Sequence, residues 1–528
     1  MWKVLKYAAL AGALMALTPP VMAATPADTL VIAKQIDDLI SLDPAEAYEL
    51  SGIEVIANTY DRIMRFEPTD ITKLVGGVAE SVSVSDDGKT FTFKIRAGQK
   101  FASGNPVTAG DAAFSLQRVI KLEKTPVFLL TQLGWTKDNI DQMVTAPDDA
   151  TLKVTITANF APTLVYALLG SVVGSVVDQK VVMTHDAGGD LGNGWLKTNS
   201  AGSGAYVLTS WTPNDSVVME ANPNYRGGLA KLKRVVIRHI PEASAQRLAL
   251  EKGDVDIADN LTPDQIDALA GNKDIKVTTV PQALLYYIGL NVKTKELSDP
   301  KVRQALRYLV DYDGMANSFL KGADQVHQSF WASGFWASYD ENPYKFDPAK
   351  AKELLAAAGY PDGFSIDLDA PNFAPFTNMA QSVQSTMAQG GIKVNIVSAE
   401  MKPLLTKYRA RQHQMLMVYW GPDYMDPHTN ADGFITNNDN SDGAAGHPLA
   451  WRNEWQDADM NAAVAAAASE RDETKRQQDY IDLQKKLLDS GPYIIMFQST
   501  SQRADRANVQ GYIQGPSADV VYYNLTTK

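Results

Sequence analysis

The sequence has 528 residues, which is longer than one hydrophobic core usually supports, so its length predicts two or three lobes. Hydrophobic residues make up 45% of the chain and charged residues 21%, as in ordinary globular proteins, which argues against long disordered regions. The formal net charge of -12 excludes nucleic-acid binding through a generally positive surface.

Residues 1–23 are predicted to be a secretory signal. Lys3 and Lys6 precede an apolar run over residues 7–17, and small residues then lead to a cleavage site after Ala23. The apolar run is too short to cross a bilayer by itself. The mature chain is therefore expected to be exported and soluble.

The sequence contains no cysteine. An exported protein of this size must then be stabilised by its cores rather than by disulfides. The predicted cleavage point also offers no cysteine to which a lipid could be attached. We therefore predict a free protein in the periplasm of a Gram-negative bacterium, and not a lipoprotein.

The N-terminal half combines strand-like alternation of apolar residues with helical spacing. The clearest pattern is a hairpin in which the turn at residues 86–88 is followed by Phe91 and Phe93 on one face of a strand. The predicted strands of this half cover residues 30–33, 82–84, 90–96, 152–156 and 235–240, and the predicted helices cover residues 53–62 and 243–251 and a segment that begins after Thr108.

The C-terminal half alternates strands with helices, which predicts α/β organisation. Two of its helices start at the pairs Asp299-Pro300 and Asp347-Pro348, because proline is favoured at the first helical position. The predicted strands of this half cover residues 275–280, 286–292, 364–368, 392–397, 415–420 and 493–497, and one long alanine-rich helix covers residues 459–488.

The end of the predicted strand before Gly421 carries the chemistry that most suggests a binding site. Tyr419, Trp420 and Tyr424 lie there beside the carboxylate of Asp423. Aromatic walls around a fixed anion suit the capture of an amphipathic, cationic small molecule. The alternative is a core strand that runs into an ordinary turn, with Trp420 packed inside.

The sequence lacks the common motifs of catalytic and metal sites. It has no Gly-Xaa-Ser-Xaa-Gly elbow, no His-Glu-Xaa-Xaa-His zinc motif and no Walker loop. Its six histidines are scattered without metal-ligand spacing, so we predict no metal and no cofactor. We expect no enzymatic activity, with a secreted hydrolase as the remote alternative.

Several segments, in order along nearly the whole mature chain, resemble one protein family. The segments are residues 78–101, TAGDAAFSL at 108–116, GSGAY at 202–206, NPNY at 222–225, KGDVD at 252–256, DPKVR at 299–303 and DPAKA at 347–351. By this ordered set the chain is similar to the peptide/nickel-type extracytoplasmic solute-binding proteins, which deliver solutes to ABC importers.

The resemblance implies a three-lobed periplasmic binding protein, in which two α/β lobes are joined by a two-strand hinge and a further lobe is inserted. The implied boundaries are residues 24–60, 196–285 and 498–528 for lobe I, 61–195 for lobe II and 286–497 for lobe III. A peptide or small-molecule ligand would lie between lobes I and III, where closure of the hinge would hold it. The implied partner is an inner-membrane ABC permease, and the protein would be a monomer that binds no nucleic acid.

The resemblance also implies ligand-binding residues. In peptide-binding members a Trp-Xaa-Xaa-Asp strand end supplies the carboxylate that holds the α-ammonium of the ligand, and Trp420 and Asp423 match that pattern. A loop of lobe I and an aromatic lid would complete the site. The predicted ligand-binding residues are Asp423, Trp420, Tyr419, Gly421, Tyr424, Trp336, Tyr48 and Ser51.

The chain departs from the dipeptide-binding members at one place. Those members carry an arginine for the ligand carboxylate shortly after the strand that corresponds to residues 364–368, but residues 371–375 contain none here. Oligopeptide binders sometimes place an arginine where this chain has Met417. The ligand therefore stays open between a peptide or peptide-like amine and a non-peptide solute, such as an opine, a sugar or another polar conjugate.

Overall fold

The computed structural model describes residues 25–67, 70–444 and 446–528, so the predicted signal lies outside the described residues. The strands are β1 Thr29–Lys34, β2 Met64–Glu67, β3 Asp70–Gly76, β4 Ala79–Val84, β5 Thr90–Ile95, β6 Val144–Asp148, β7 Thr151–Thr155, β8 Tyr206–Thr212, β9 Ser216–Ala221, β10 Arg234–His239, β11 Ile257–Ala258, β12 Ile275–Leu290, β13 Asp324–Val326, β14 Phe364–Pro371, β15 Ile392–Ala399, β16 Met415–Trp420, β17 Tyr493–Arg506, β18 Ile513–Gln514 and β19 Val521–Tyr522.

Helices of very different length connect these strands. They are α1 Leu50–Thr59, α2 Ala109–Leu122, α3 Phe128–Thr131, α4 Ile140–Met143, α5 Pro162–Leu169, α6 Gln179–Met183, α7 Asn193–Leu196, α8 Ala243–Lys252, α9 Pro263–Ala268, α10 Pro300–Tyr308, α11 Tyr312–Ala316, α12 Pro348–Ala357, α13 Phe376–Ala388, α14 Met401–Arg409, α15 Pro427–Ile435, α16 Leu449–Arg452, α17 Ala458–Ser469 and α18 Glu473–Ser490. Short 3₁₀ helices cover Thr125–Val127, Val172–Gly174, Glu296–Ser298 and Ala518–Val520.

The largest sheet has eleven strands and is organised around two of them, β12 and β17. Ten strands follow the order β15-β14-β16-β12-β17-β11-β1-β10-β9-β8, and β13 adds to β17. The antiparallel pair of β12 and β17 therefore joins a half that contains β14, β15 and β16 to a half that contains β1, β10 and β11. Within these halves β14 is parallel to β15 and β16, and β1 is parallel to β10 and β11.

The strand β12 is continuous, so the prediction of two separate strands in this region is wrong. Its pairing with β17 runs from Ile275 to Pro281 and resumes at Leu285 after a shift of register. Proline has no backbone N–H for the ladder, and an irregularity of this kind absorbs its presence without ending the strand. The partner strand β17 also extends well beyond the predicted residues 493–497.

The single long helix predicted over residues 459–488 is wrong as well, because the chain forms two helices there. The helices α17 and α18 are separated at residues 470–472. The carboxylate of Asp472 accepts a hydrogen bond from the backbone N–H of Lys475 at 2.8 Å and so caps the start of α18. The remaining predicted strands and helices are confirmed, with ends that shift by a few residues.

A second, four-stranded sheet has the order β4-β5-β7-β6 and is antiparallel throughout. The predicted hairpin is its first pair, and Phe91 and Phe93 are fully buried against α2. Thr108 and Asp111 form a reciprocal capping box at the start of that helix. The exact boundaries of the three lobes stay a prediction.

One buried ion pair fastens α2 to the N-terminal segment. Arg118 donates from Nη1 to Asp43 Oδ1 at 2.6 Å and from Nη2 to Asp43 Oδ2 at 2.5 Å, and both side chains are inaccessible to solvent. Asn193 donates a further hydrogen bond to Asp43 at 2.7 Å. Because every partner is supplied by the protein, the removal of one charge leaves the other buried without compensation.

We expect Asp43→Ala to lower the free energy of unfolding by about 3–5 kcal/mol, because the Arg118 guanidinium then stays buried without its anion. Asp313→Ala is the matched control, since Asp313 pairs with Lys345 at 3.3 Å and both side chains are exposed. The control is expected to lose less than about 1 kcal/mol. Urea denaturation measures both values, and similar losses in the two variants would contradict the assignment.

Candidate functional site

Several of the predicted binding residues lie at the carboxyl end of the interior strand β16. Tyr419 and Trp420 end the strand, and Asp423 follows in the next turn. Residues Met415 to Val418 are buried because β16 lies between β14 and β12. The helix α15 starts shortly afterwards, where the carboxylate of Asp426 accepts a hydrogen bond from the backbone N–H of His428 at 2.9 Å. The turn that carries Asp423 is thus held between a buried strand and a capped helix.

Asp423 is a partly buried carboxylate with a hydroxyl partner from the N-terminal segment. The hydroxyl of Tyr48 donates a hydrogen bond to Asp423 Oδ1, and the Asp423 backbone N–H donates to Thr429 Oγ1 at 3.2 Å. Burial raises the pKa of Asp423, although the hydrogen bond from Tyr48 acts in the opposite direction. Burial and the charge of Asp423 also raise the pKa of Tyr48, so its phenol keeps its proton. An additional cationic donor would stabilise this carboxylate.

The neighbouring aromatic residues Trp420 and Tyr419 lie on opposite faces of β16. Trp420 Nε1 donates to Asn430 Oδ1 at 3.1 Å, and Asn430 Nδ2 donates to the Phe330 carbonyl at 2.6 Å. Tyr419 is 44% exposed and packs against Phe376, with ring centroids 6.1 Å apart. The Trp420 ring is therefore held in place by its hydrogen bond, while the Tyr419 ring is accessible to solvent.

Tyr424 and Trp336 take part in packing between segments of the chain. Tyr424 is buried in the hydrophobic cluster that contains α2, and its hydroxyl donates to Gln132 Oε1 at 3.3 Å. Trp336 lies under the guanidinium of Arg476, 5.3 Å from the ring centroid. Arg476 in turn pairs with both oxygens of Asp426, at 2.8 and 2.9 Å. These contacts hold segments together and do not present either ring to the cavity described next.

A cavity of about 610 Å³ lies between the two halves of the large sheet. One wall comes from the residues that follow β1, from α1 and from the residues that follow β11. The other walls come from the bulged part of β12, from the middle of β17, from residues 514–518 and from Gly421 and Pro422. Of the predicted residues, Ser51 and Gly421 line this cavity, whereas Tyr48 and Asp423 meet each other close to them in the chain. A cavity of this size suits a small solute.

The sequence prediction missed a buried charge cluster in the cavity wall. Lys34 Nζ lies 2.9 Å from Asp259 Oδ2 and also contacts the carboxylate of Glu54. Burial alone would lower the pKa of Lys34, but the charges of Asp259 and Glu54 raise it well above its ordinary value. Burial likewise acts to raise the pKa of Asp259, and Lys34 brings it below its ordinary value. Lys34 and Asp259 are therefore charged and compensate each other in part.

A signal for this cluster is present in the sequence and becomes clear once the strands are paired. Lys34 ends β1, and Asp259 directly follows β11, which is parallel to β1. Ligands in open α/β sheets bind beyond the carboxyl ends of neighbouring parallel strands. The polar residues after the apolar run at 30–33 therefore mark this wall, although their partners are set only by the fold, as where the backbone N–H of Gln35 donates to Asn260 Oδ1 at 2.8 Å.

Asp324 is a further buried carboxyl close to the cavity. It begins β13 opposite Ser499 of β17, and Ser499 lines the cavity. Asp324 is only 8% exposed, and its Oδ1 has no hydrogen-bond partner among the described residues. Burial raises the pKa of Asp324 to about 7, although a hydrogen bond with Ser499 opposes that change. Its carboxyl thus changes charge near neutral pH.

Within the part of the chain that the structure describes, no helix is long and apolar enough to cross a membrane. Among the same residues, no group of three or more His, Cys, Asp or Glu side chains is arranged to hold a metal ion.

Comparison with known proteins identifies relatives over almost the full length. The family model for bacterial extracellular solute-binding proteins, family 5 middle, matches residues 73–442. The probable D,D-dipeptide-binding periplasmic protein DdpA of Escherichia coli K12 is 30% identical over 96% of both chains. A dipeptide-binding protein of the same strain is 28% identical over 91% of this chain and 90% of its own.

A solved structure agrees with the fold described above. The unliganded open form of the periplasmic murein tripeptide-binding protein MppA superposes with a TM-score of 0.79 at 26% identity. The match covers 96% of this chain and 98% of that chain. The predicted fold class, an α/β periplasmic binding protein with three lobes, is thereby confirmed.

The titration of Asp324 predicts a pH-dependent effect of its replacement. Between the ordinary value of 3.8 and about 7 the folded protein holds a proton that the unfolded chain has lost, so stability falls as the pH rises through this window. Asp324→Asn removes this pH-dependent loss of stability, because an amide does not titrate. Relative to the wild type, the variant is expected to gain about 3 kcal/mol between pH 4.5 and pH 8.

Urea denaturation at pH 4.5, 6 and 8 measures the change, with Asp299→Asn, which alters a carboxylate that caps α10, as the comparison. A difference between Asp324→Asn and wild type that does not grow with pH would contradict the raised pKa.

Proposed function

The chain belongs to family 5 of the bacterial extracellular solute-binding proteins, and we propose that it is the periplasmic component of an ABC importer that captures a peptide or a peptide-like amine. The family consists of binding proteins without catalytic activity, in agreement with the expectation that this chain is not an enzyme. The single observation that carries the proposed ligand class is the contact between Tyr48 and Asp423 beside the cavity.

The chemistry of Asp423 favours an ammonium group as its ligand. One neutral hydroxyl, from Tyr48, donates a hydrogen bond to one of its oxygens. An ammonium brings three donors and a full positive charge. A hydrogen bond to a charged group contributes roughly 1.5–3 kcal/mol, more than a neutral one. The amine would therefore bind beside the Tyr48 hydroxyl or take its place.

The arrangement also supports capture by closure of the cleft. Tyr48 precedes α1, whereas Asp423 follows β16, and the β12–β17 pair lies between these parts of the large sheet. A ligand held between the two residues gains contacts with both lobes only in the closed form, so binding favours closure. An inner-membrane permease that recognises the closed form would then receive only loaded protein.

The names of the relatives support a peptide as the ligand and widen the set of peptides to be tested. DdpA is named as a probable D,D-dipeptide-binding protein, the 28% identical relative as a dipeptide-binding protein and MppA as a murein tripeptide-binding protein. Peptides of both configurations therefore belong in the binding assays. A non-peptide solute, such as an opine, a sugar or another polar conjugate, is the alternative.

We expect Asp423→Asn to weaken the binding of dialanine at least about tenfold, because an amide cannot compensate the ammonium charge. Isothermal titration calorimetry is carried out with both the L,L and the D,D form. Asp138→Asn is the control, because Asp138 is an exposed carboxylate that does not line the cavity. This variant is expected to bind dialanine with the affinity of the wild type. Unchanged affinity in Asp423→Asn would refute the role of this carboxylate.

The identity of the natural solute is tested by mass spectrometry of the ligand released from protein purified from its own periplasm. Recovery of di- or tripeptides, or of another primary amine, is the expected result. Recovery of one solute without an amine would overturn the proposal.

A further inference from the structure

The charged residues in the cavity wall are strongly unbalanced. They comprise four carboxylates and a single base, namely Asp37, Asp38, Glu54, Asp259 and Lys34. Among the described residues, arginine does not line the cavity, and the part of the wall formed by residues 421 and 422 is uncharged. A solute that enters therefore meets a wall with an excess of negative charge.

The one base in the wall is already engaged. Lys34 pairs with Glu54 and Asp259, so its positive charge is shared between two carboxylates. Tyr523 donates a further hydrogen bond to Glu54, and Gln514 donates to Asp259 Oδ1 at 3.2 Å. Lys34 is consequently not available to hold a ligand carboxylate without the loss of these contacts. Arg503, which lies behind Gln514, is likewise paired with Asp505 at 2.8 Å.

Asp37 and Asp38 carry the part of the negative charge that Lys34 does not offset. Both side chains are exposed where the chain leaves β1, and both line the cavity. Asp38 accepts one hydrogen bond, from the backbone N–H of Ser51 at 3.1 Å, which orients it toward α1. These two carboxylates are placed to receive a cationic group from the solute.

Asp324 is a further buried carboxyl near this wall, although it does not itself line the cavity. It belongs to β13, on a different element from the acidic residues after β1, and its neighbour Ser499 forms part of the cavity wall. Its side chain is more than nine-tenths buried, and Oδ1 accepts no hydrogen bond from any described residue. A buried acceptor without a donor is costly to a folded protein.

We propose that the solute carries a second cationic group besides the amine at Asp423, and that the acidic wall formed by Asp37, Asp38, Glu54 and Asp259 receives it. This inference rests on the proposed function, because it assigns the second end of the same ligand. The substrate class is then a short peptide with a lysine-like or arginine-like side chain, rather than a neutral or acidic peptide.

The experiment compares three dipeptides that differ in charge at the second residue, Ala-Lys, Ala-Met and Ala-Glu, each in L,L and D,D form. Putrescine is included as a diamine without a peptide bond. Titration calorimetry of the wild type is expected to give about tenfold tighter binding of Ala-Lys than of Ala-Met, and weaker binding still of Ala-Glu. Putrescine is expected to bind more weakly than Ala-Lys.

The variant Asp37→Asn/Asp38→Asn is expected to lose most of the tenfold difference, because its affinity for Ala-Lys falls by a larger factor than its affinity for Ala-Met. Its matched control is Asp264→Asn/Asp267→Asn, which removes two exposed charges on α9 that do not line the cavity. The control is expected to keep the full preference for Ala-Lys, which separates a local contact from the general charge of the protein.

The outcomes distinguish this inference from the function on which it rests. Equal affinity of the wild type for Ala-Lys and Ala-Met would overturn the inference and leave a peptide-binding protein. Binding of putrescine without binding of any dipeptide would overturn the assignment of a peptide as the ligand. It would leave the inference of a second cationic group standing. Failure of every probe to bind would overturn both, and loss of the preference in the Asp264→Asn/Asp267→Asn control would overturn the assignment to the acidic wall.

Discussion

The antiparallel pairing of β12 with β17 connects the two halves of the large sheet, and the position of every group in the cleft depends on it. The strand β12 hydrogen-bonds to β16 of one half and β17 to β11 of the other, so the halves share a backbone ladder instead of packing only through side chains. The irregularity between Pro281 and Leu285 lies within this ladder and also borders the cavity. Any rotation of one half against the other therefore changes the width of the cavity directly.

Two buried ion pairs inside the lobes differ from one buried carboxyl near the cleft. Arg118 with Asp43, and Arg476 with Asp426, are bidentate pairs whose partners come entirely from the protein. At the cleft, by contrast, Asp324 keeps an acceptor without a donor. Complete pairing fixes the packing of segments, whereas incomplete pairing leaves interaction free energy that a ligand can supply.

The sequence predicted well what depends on local patterns and poorly what depends on distant pairing. The strand that ends at Trp420 was predicted to the residue, because its apolar run is bounded by glycine and proline. The interruption before α18 was missed, because one capping residue, Asp472, outweighs the helical preference of the alanines around it. Lys34 and Asp259 were missed as a site, since only the pairing of β1 with β11 brings them together. Tyr424 was assigned to the binding site because sequence cannot tell which neighbour an aromatic ring packs against.

The chain leaves the shared ladder at the end of β12 and returns to it at the start of β17, and these two points are neighbours. The backbone N–H of Leu290 donates to the carbonyl of Pro492 at 2.9 Å, and Gly289 lies opposite Tyr493. The intervening residues 291–491 thus form an excursion whose two ends are joined in space. Because its ends meet at the ladder, this stretch is one continuous insertion between the two strands, and a change of length within it need not alter the distance between β12 and β17.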